Sequence, residues 1–150
     1  MKTPVPFLWF DTQAEDAMNF YVSVFPDSKI TSMSKMPDGK MFTGSFNIKG
    51  QEFMVLNAGP MFKFNESISF FVSCEDQAEV DLYWDKLVAD GGEESQCGWL
   101  KDKFGLSWQI IPKQLNECLG NPDPAKAQKA MAAMMQMKKI IVADLEKAVE

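Results

Sequence analysis

Residues 7–25 read FLWFDTQAEDAMNFYVSVF, and residues 69–87 read SFFVSCEDQAEVDLYWDKL. Laid over one another without a gap, Tyr21 falls on Tyr83, Phe20 on Leu82, Met18 on Val80 and Phe25 on Leu87. Each stretch is an apolar strand, a short polar turn and an amphipathic helix. Identity between them is low, so what repeats is the pattern. A repeated unit predicts a fold of two like halves with a site between them. The chain has no histidine, and that restricts the chemistry such a site can perform.

Working outward, the spacing predicts a strand over 5–10. Thr12 and Glu15 have capping-box spacing, so a helix is expected from there to Phe25, with Ala17, Phe20, Tyr21, Val24 and Phe25 on one face. Strands are expected over 30–35, 41–48 and 52–56, with the first two joined by the turn Pro37-Asp38-Gly39-Lys40. The second unit predicts a strand over 68–72, a helix over 76–88, short strands over 94–97 and 99–101, and a strand over 106–111. The unit ends correspond as well. Gly50–Leu56 lies over Gly105–Ile111 at a shorter offset, so the second unit has the shorter middle strands. Unit one is read as 1–60, unit two as 66–112 and a helical tail as 113–150, all in one domain. In the tail, short helices are expected over 114–119 and 143–149. A longer one starts at the cap Asp123-Pro124 and runs to about Lys139. Ala127, Ala130, Met131, Met134 and Met137 form a stripe along it, suited to packing on the sheet or on a second subunit.

Composition sets the class. The apolar share is 46% and the net charge is −6 with both signs mixed throughout, which argues against nucleic acid or an anionic membrane surface as partner. No signal-peptide pattern and no apolar run of bilayer-spanning length is present. Cys74, Cys97 and Cys118 lack CxxC spacing and read as reduced thiols of a cytoplasmic protein.

Candidate site residues are few. Gln109 sits in the apolar strand SWQII, where a buried amide needs partners. It is read either as a ligand-binding group or as a structural amide. Cys97, in Cys97-Gly98-Trp99, is the candidate nucleophile, although activation needs a cationic neighbour and no imidazole exists. The same thiol also reads as a small buried or site-lining group. Trp99 and Trp108 are flat walls for a planar ligand or part of the core. A serine triad, a GxSxG elbow and a phosphate loop are all missing. A SAM-binding fold would need a glycine-rich first turn and parallel strands, and neither is predicted.

Two β-α-β-β-β units in tandem resemble the vicinal oxygen chelate superfamily of glyoxalases, extradiol dioxygenases and bleomycin-resistance proteins. The blocks FLWFDTQAEDAMNFYVSVFPDSKI, LNAGPMFKFNESISFFVSC, CGWLKDKFGLSWQIIP and DPAKAQKAMAAMMQMKKI look like its PhnB-like branch. Members of that branch are often labelled 3-demethylubiquinone-9 3-methyltransferase domain. The resemblance implies an α+β fold in which the two units curl into a cupped, incomplete barrel, and it implies a homodimer. Metal-using relatives place four His, Gln or Glu ligands in the cup. Here the matching positions are 5–7, Phe53 or Met54, Ser67 or Ser69, and Gln109. That set implies no metal and no cofactor, with a Mg²⁺ or Ca²⁺ site of loop carboxylates left open. The resemblance also places the connector by the cup mouth, making Asn57, Phe62 and Phe64 ligand-binding candidates beside Gln109, Trp99, Cys97, Ser67 and Ser69. The function expected is metal-free binding of a small apolar or aromatic molecule. The alternatives are an enzyme of unassigned reaction using Cys97, Gln109 or a recruited ion, and a dimeric structural protein whose cup is filled.

Overall fold

The computed structural model describes residues 3–150. The chain divides into two compact units, one ending at Lys63 and the other spanning Phe64–Glu150. Both have the expected β-α-β-β-β order, and the class is α+β.

The first unit runs β1 (Phe7–Phe10), α1 (Ala14–Val24), β2 (Ser28–Lys35), β3 (Met41–Ile48) and β4 (Gln51–Asn57). Its sheet has the order β1-β4-β3-β2, with β1 parallel to β4 and the other pairs antiparallel. Alternation sends Leu8, Phe10, Phe53, Val55 and Phe46 toward α1, and all are buried. Phe46 stacks between Tyr21 and Phe53, with ring centroids 5.7 and 5.0 Å away. Gly44 lets α1 come close: a Cβ there would lie 2.8 Å from Met18 Cε and 3.1 Å from the Ser32 carbonyl.

Two expectations for α1 are corrected. The helix starts at Ala14 and no side chain of Gln13, its N-cap, closes it. The Ala14 N–H instead donates to Asn57 Oδ1 at 2.9 Å, so the cap comes from the end of β4 rather than from a Thr12–Glu15 box. The core face also takes Met18 in full, while Phe20 is only half-buried.

The second unit runs β5 (Ser69–Cys74), α2 (Gln77–Val88), β6 (Glu93–Glu94), β7 (Trp99–Lys101) and β8 (Ser107–Pro112), in the sheet order β5-β8-β7-β6. Asp76 caps α2 by accepting from the Glu79 N–H at 2.9 Å. Val80, Tyr83, Trp84 and Leu87 bury the helix against the face that carries Leu100, Trp108 and Ile110. Strand β6 is two residues rather than the four expected, because Cys97 turns the chain at φ 58°.

The tail is α3 (Lys113–Leu119), α4 (Pro124–Met134) and α5 (Val142–Ala148). Helix α4 ends at Met134, short of the expected Lys139. Residues 135–141 instead run as a strap against the turn before β7: the Cys97 and Gly98 N–H groups donate to the Met137 and Lys138 carbonyls at 2.8 and 2.7 Å. Ile111, Leu115, Cys118, Ala130, Ile140 and Leu145 form a buried cluster beneath these helices, joined by Met134 and Met137. The methionine stripe is thus split, with Met134 and Met137 packed in this unit and Met131 exposed.

Candidate ligand-binding face

In the second unit, alternation along β8 puts Trp108 and Gln109 on opposite faces. Trp108 is buried on the α2 side. Its indole N–H donates to the buried carboxylate of Asp102 at 2.9 Å, and its ring meets Phe70 at 5.5 Å. Gln109 is half-buried on the face turned away from α2.

That face is organised in three rows by the strand register. In the middle row Gln109 stands between Phe71 of β5 and Trp99 of β7. Phe71 is 56% exposed and Trp99 half-buried. The Gln109 amide donates from Nε2 to Ser69 Oγ at 2.9 Å. On one side lies a polar row, Ser69, Ser107 and Lys101. Lys101 is ion-paired with Glu66, which raises the ammonium and holds the carboxyl below its usual range. On the other side Ile111 is covered by the tail cluster. Gly98 permits that cover, since at φ 85° a Cβ would meet Ile111 Cδ1 at 2.6 Å and Ile140 Cγ1 at 3.1 Å.

The other expected site residues are more scattered. Ser67 lies exposed ahead of β5, its N–H and hydroxyl both donating to Asn65 Oδ1. Cys97 is half-buried in the strap turn, its Sγ 4.0 Å from Met135 Sδ. Phe64 is half-buried at the start of this unit. Asn57, in the first unit, commits both ends of its amide to the scaffold: Oδ1 caps α1, and Nδ2 donates to the Met41 carbonyl at 3.2 Å. Phe62 is exposed and lies edge-on to Trp9 at 5.0 Å, while the Trp9 indole donates to the Gly59 carbonyl. Ser107, on the same face as Gln109, was missed by the sequence reading. Its signal was available, as the residue two before Gln109 on one strand.

The first unit's corresponding face carries Phe7 and Met54, register partners that are both exposed, together with half-buried Trp9 and Leu56. Ser45 there shares hydrogen bonds with Thr31 and Ser32 at 2.7 and 2.6 Å. Phe53 points the other way, into the α1 core.

A model of the 3-demethylubiquinone-9 3-methyltransferase family matches residues 2–111. The chain belongs to that family. The match stops at Ile111, so the tail helices lie outside it, although the tail entered the sequence resemblance. A PhnB protein from Bacillus cereus, described by the same methyltransferase name, is 33% identical with a TM-score of 0.69. The alignment covers 74% of this chain and 99% of that one. The glyoxalase-like fold is shared more widely. A glyoxylase/bleomycin resistance protein/dioxygenase domain from Frankia is 11% identical with a TM-score of 0.51, over 75% of this chain and 91% of that one. A mutant of the fosfomycin resistance protein FosX from Listeria monocytogenes, complexed with Mn(II) and a dihydroxypropylphosphonic acid, is 15% identical with a TM-score of 0.53. That alignment covers 72% of this chain and 90% of the other. No curated protein matches.

The side chains at the positions that the sequence resemblance matches to metal ligands are not the donor types a divalent transition metal needs. On the faces turned from the helices they are Phe7 and Met54 in the first unit and Ser69 and Gln109 in the second. A ring, a thioether, a hydroxyl and an amide lack the imidazole, thiolate or carboxylate donors that Mn²⁺, Zn²⁺ or Ni²⁺ require. Among the described residues no three His, Cys, Asp or Glu side chains group closely enough to hold an ion. No helix among them is long and apolar enough to cross a membrane.

Proposed function

We propose that this protein binds a small, largely apolar or aromatic molecule without a metal ion, on the sheet face that carries Gln109. One observation supports this above the rest: Phe71, Gln109 and Trp99 stand side by side in register, two aromatic groups flanking one amide. Small-molecule sites are lined mostly by apolar and aromatic side chains with a few placed polar groups, and this face has that composition. The rings supply area and the amide supplies orientation. Gln109 has further hydrogen-bonding capacity beyond the donor it gives Ser69.

The methyltransferase name is no part of the proposal. Each sheet has one parallel pair, β1–β4 or β5–β8, in an otherwise antiparallel order, unlike the parallel sheet on which SAM-dependent enzymes of the Rossmann type hold their cofactor. No reaction is assigned. We take the assembly to be a homodimer, for which exposed Met131 and Met135 offer apolar surface. Cys74, Cys97 and Cys118 form no disulfide with one another, which suits the reducing cytoplasm.

A thermal-shift screen of an aromatic and apolar metabolite library tests the reading. At least one hit should lose affinity by about 5- to 100-fold in Gln109→Leu, the effect of leaving a polar partner unpaired, with the variant folded. Hits indifferent to Gln109→Leu and Trp99→Ala would place binding elsewhere and defeat the proposal.

A further inference from the structure

The start of α1 and the β2–β3 hairpin border a cleft of 490 Å³ in the first unit. Its size is within the roughly 300–1,000 Å³ of small-molecule sites, and none of its lining residues belongs to the Gln109 face. One amide ties its two walls together. Asn57 Oδ1 accepts the Ala14 N–H at 2.9 Å on the helix side, and Asn57 Nδ2 donates to the Met41 carbonyl at 3.2 Å on the hairpin side. The hairpin is closed in turn by the Met36 N–H donating to the Lys40 carbonyl at 2.8 Å and the Gly39 N–H to the Met36 carbonyl at 2.9 Å. The cleft is therefore held open by the fold itself.

Its lining combines apolar surface with uneven charge. Met41, 5% exposed, and the more open Met36 and Phe42 supply the apolar part. Glu15 and Asp38 set two carboxylates against the single ammonium of Lys40. Among the described residues none of these three side chains is ion-paired. Asp38 Oδ1 accepts the Lys40 N–H at 3.0 Å, which leaves its second oxygen to a ligand. The helix start offers an anion little. The Ala14 N–H is already taken by Asn57, and Glu15 and Asp16 in the first turn offset the positive end of α1.

We propose that this cleft binds an organic cation, an ammonium group carrying a compact apolar body. Glu15 and Asp38 meet the charge, and Met36, Met41 and Phe42 take the body. The Phe42 ring suits either part, since an aromatic face attracts a cation as well as hydrocarbon. This is a second site, on the first unit, and it stands or falls separately from binding at Gln109.

Phenethylamine, phenethyl alcohol, phenylacetate and phenylalanine, titrated against the full chain, separate the elements. Nuclear magnetic resonance follows the Met36 and Met41 methyl signals and the Glu15 and Gly39 amides, with the Gln109 side-chain amide as the readout of the other face. Phenethylamine is expected to shift the cleft signals, and more weakly as salt is raised. The alcohol, phenylacetate and phenylalanine should bind at least several-fold more weakly. Glu15→Gln should weaken phenethylamine by about fivefold, the scale of a partly exposed ion pair, and leave the alcohol unchanged. Lys40→Met should strengthen phenethylamine. Phenethylamine binding that ignores both substitutions would overturn the cation assignment. So would a preference for phenylacetate, or for phenylalanine, whose carboxylate would then be held by Lys40. If no probe shifts the cleft signals at millimolar concentration, the site itself is refuted, whatever happens at Gln109.

Discussion

Asp102 and Trp108 are joined inside the second unit: the indole N–H donates to Asp102 Oδ2 at 2.9 Å, and both residues are almost wholly buried. The other carboxylate oxygen accepts the Phe104 and Leu106 N–H groups at 2.9 and 3.1 Å. One carboxylate thus folds the turn before β8 and orients the tryptophan under α2. Asp102→Asn replaces one acceptor with a donor facing N–H groups. The expected loss is about 1.5–3 kcal/mol, as for a hydrogen bond to a charged group. Urea unfolding should show a lower midpoint with an unchanged slope.

Trp108→Ala should cost more, about 3–5 kcal/mol, because it leaves a cavity in a packed core. Gln109→Leu, its neighbour on the opposite face, should leave the unfolding free energy within about 0.5 kcal/mol of the parent. A reversal of these two results would mean that the face assignments of β8 are exchanged, and Phe71 and Trp99 would then lose their claim to a site.

The repeat was legible because both helices keep their apolar residues at helical spacing and both closing strands follow a glycine turn, Gly50 and Gly105. The opposed faces of Trp108 and Gln109 were legible for the same reason, since alternation along a strand is a local rule. What escaped the sequence was non-local. The cap of α1 comes from Asn57, which is 43 residues away from Ala14, and a capping box at Thr12 looked sufficient without it. The early end of α4 depends on the Cys97 and Gly98 N–H groups pulling the strap out of helical geometry. That the buried Ser107 hydroxyl has no hydrogen-bond partner depends on what surrounds it, which no pattern of residue types conveys.

Gly98→Ala tests the strap. The added methyl would meet Ile111 and Ile140 at a backbone angle that favours glycine. The expected cost is roughly 1–3 kcal/mol from overpacking. Hydrogen exchange should accelerate first in residues 137–145. Uniform acceleration across the second unit would show instead that the tail does not open separately.

Purified protein is expected to carry far less than one manganese, zinc, nickel or iron per chain by elemental analysis. It should also show no micromolar heat of binding with S-adenosylmethionine. The first outcome follows from Phe7, Met54, Ser69 and Gln109 at the positions matched to metal ligands, and the second from mixed sheets with a single parallel pair each, unlike the parallel sheet of a Rossmann-type fold. A stoichiometric, chelator-removable ion would reopen metal chemistry for this chain.

Lys139 clamps the strap to α2, with Nζ 3.1 Å from Asp81 and 2.9 Å from Asp85. Gln77 supports the clamp by donating to Asp81 and to the Ile140 carbonyl and accepting the Val142 N–H. The Gln77 hydrogen bond first, and then Lys139, hold the Asp81 carboxyl below its usual 3.8. A depressed carboxylate contributes stability that is present above pH 3.8 and is lost as pH falls through the folded value. Burial opposes the charge on Lys139, but Asp85 and Asp81 outweigh it and raise the ammonium above 10.5. A raised ammonium contributes stability that is complete below that pH and is lost on going through the higher folded value. Lys139→Met should therefore lower stability by about 0.2–1 kcal/mol, the range for a partly exposed pair, on a plateau between about pH 5 and 9. The gap from the parent should close toward both acid and strong base. A gap that persists unchanged as acid neutralises the Asp81 carboxylate would assign the effect of Lys139 to packing of its aliphatic stem rather than to its charge.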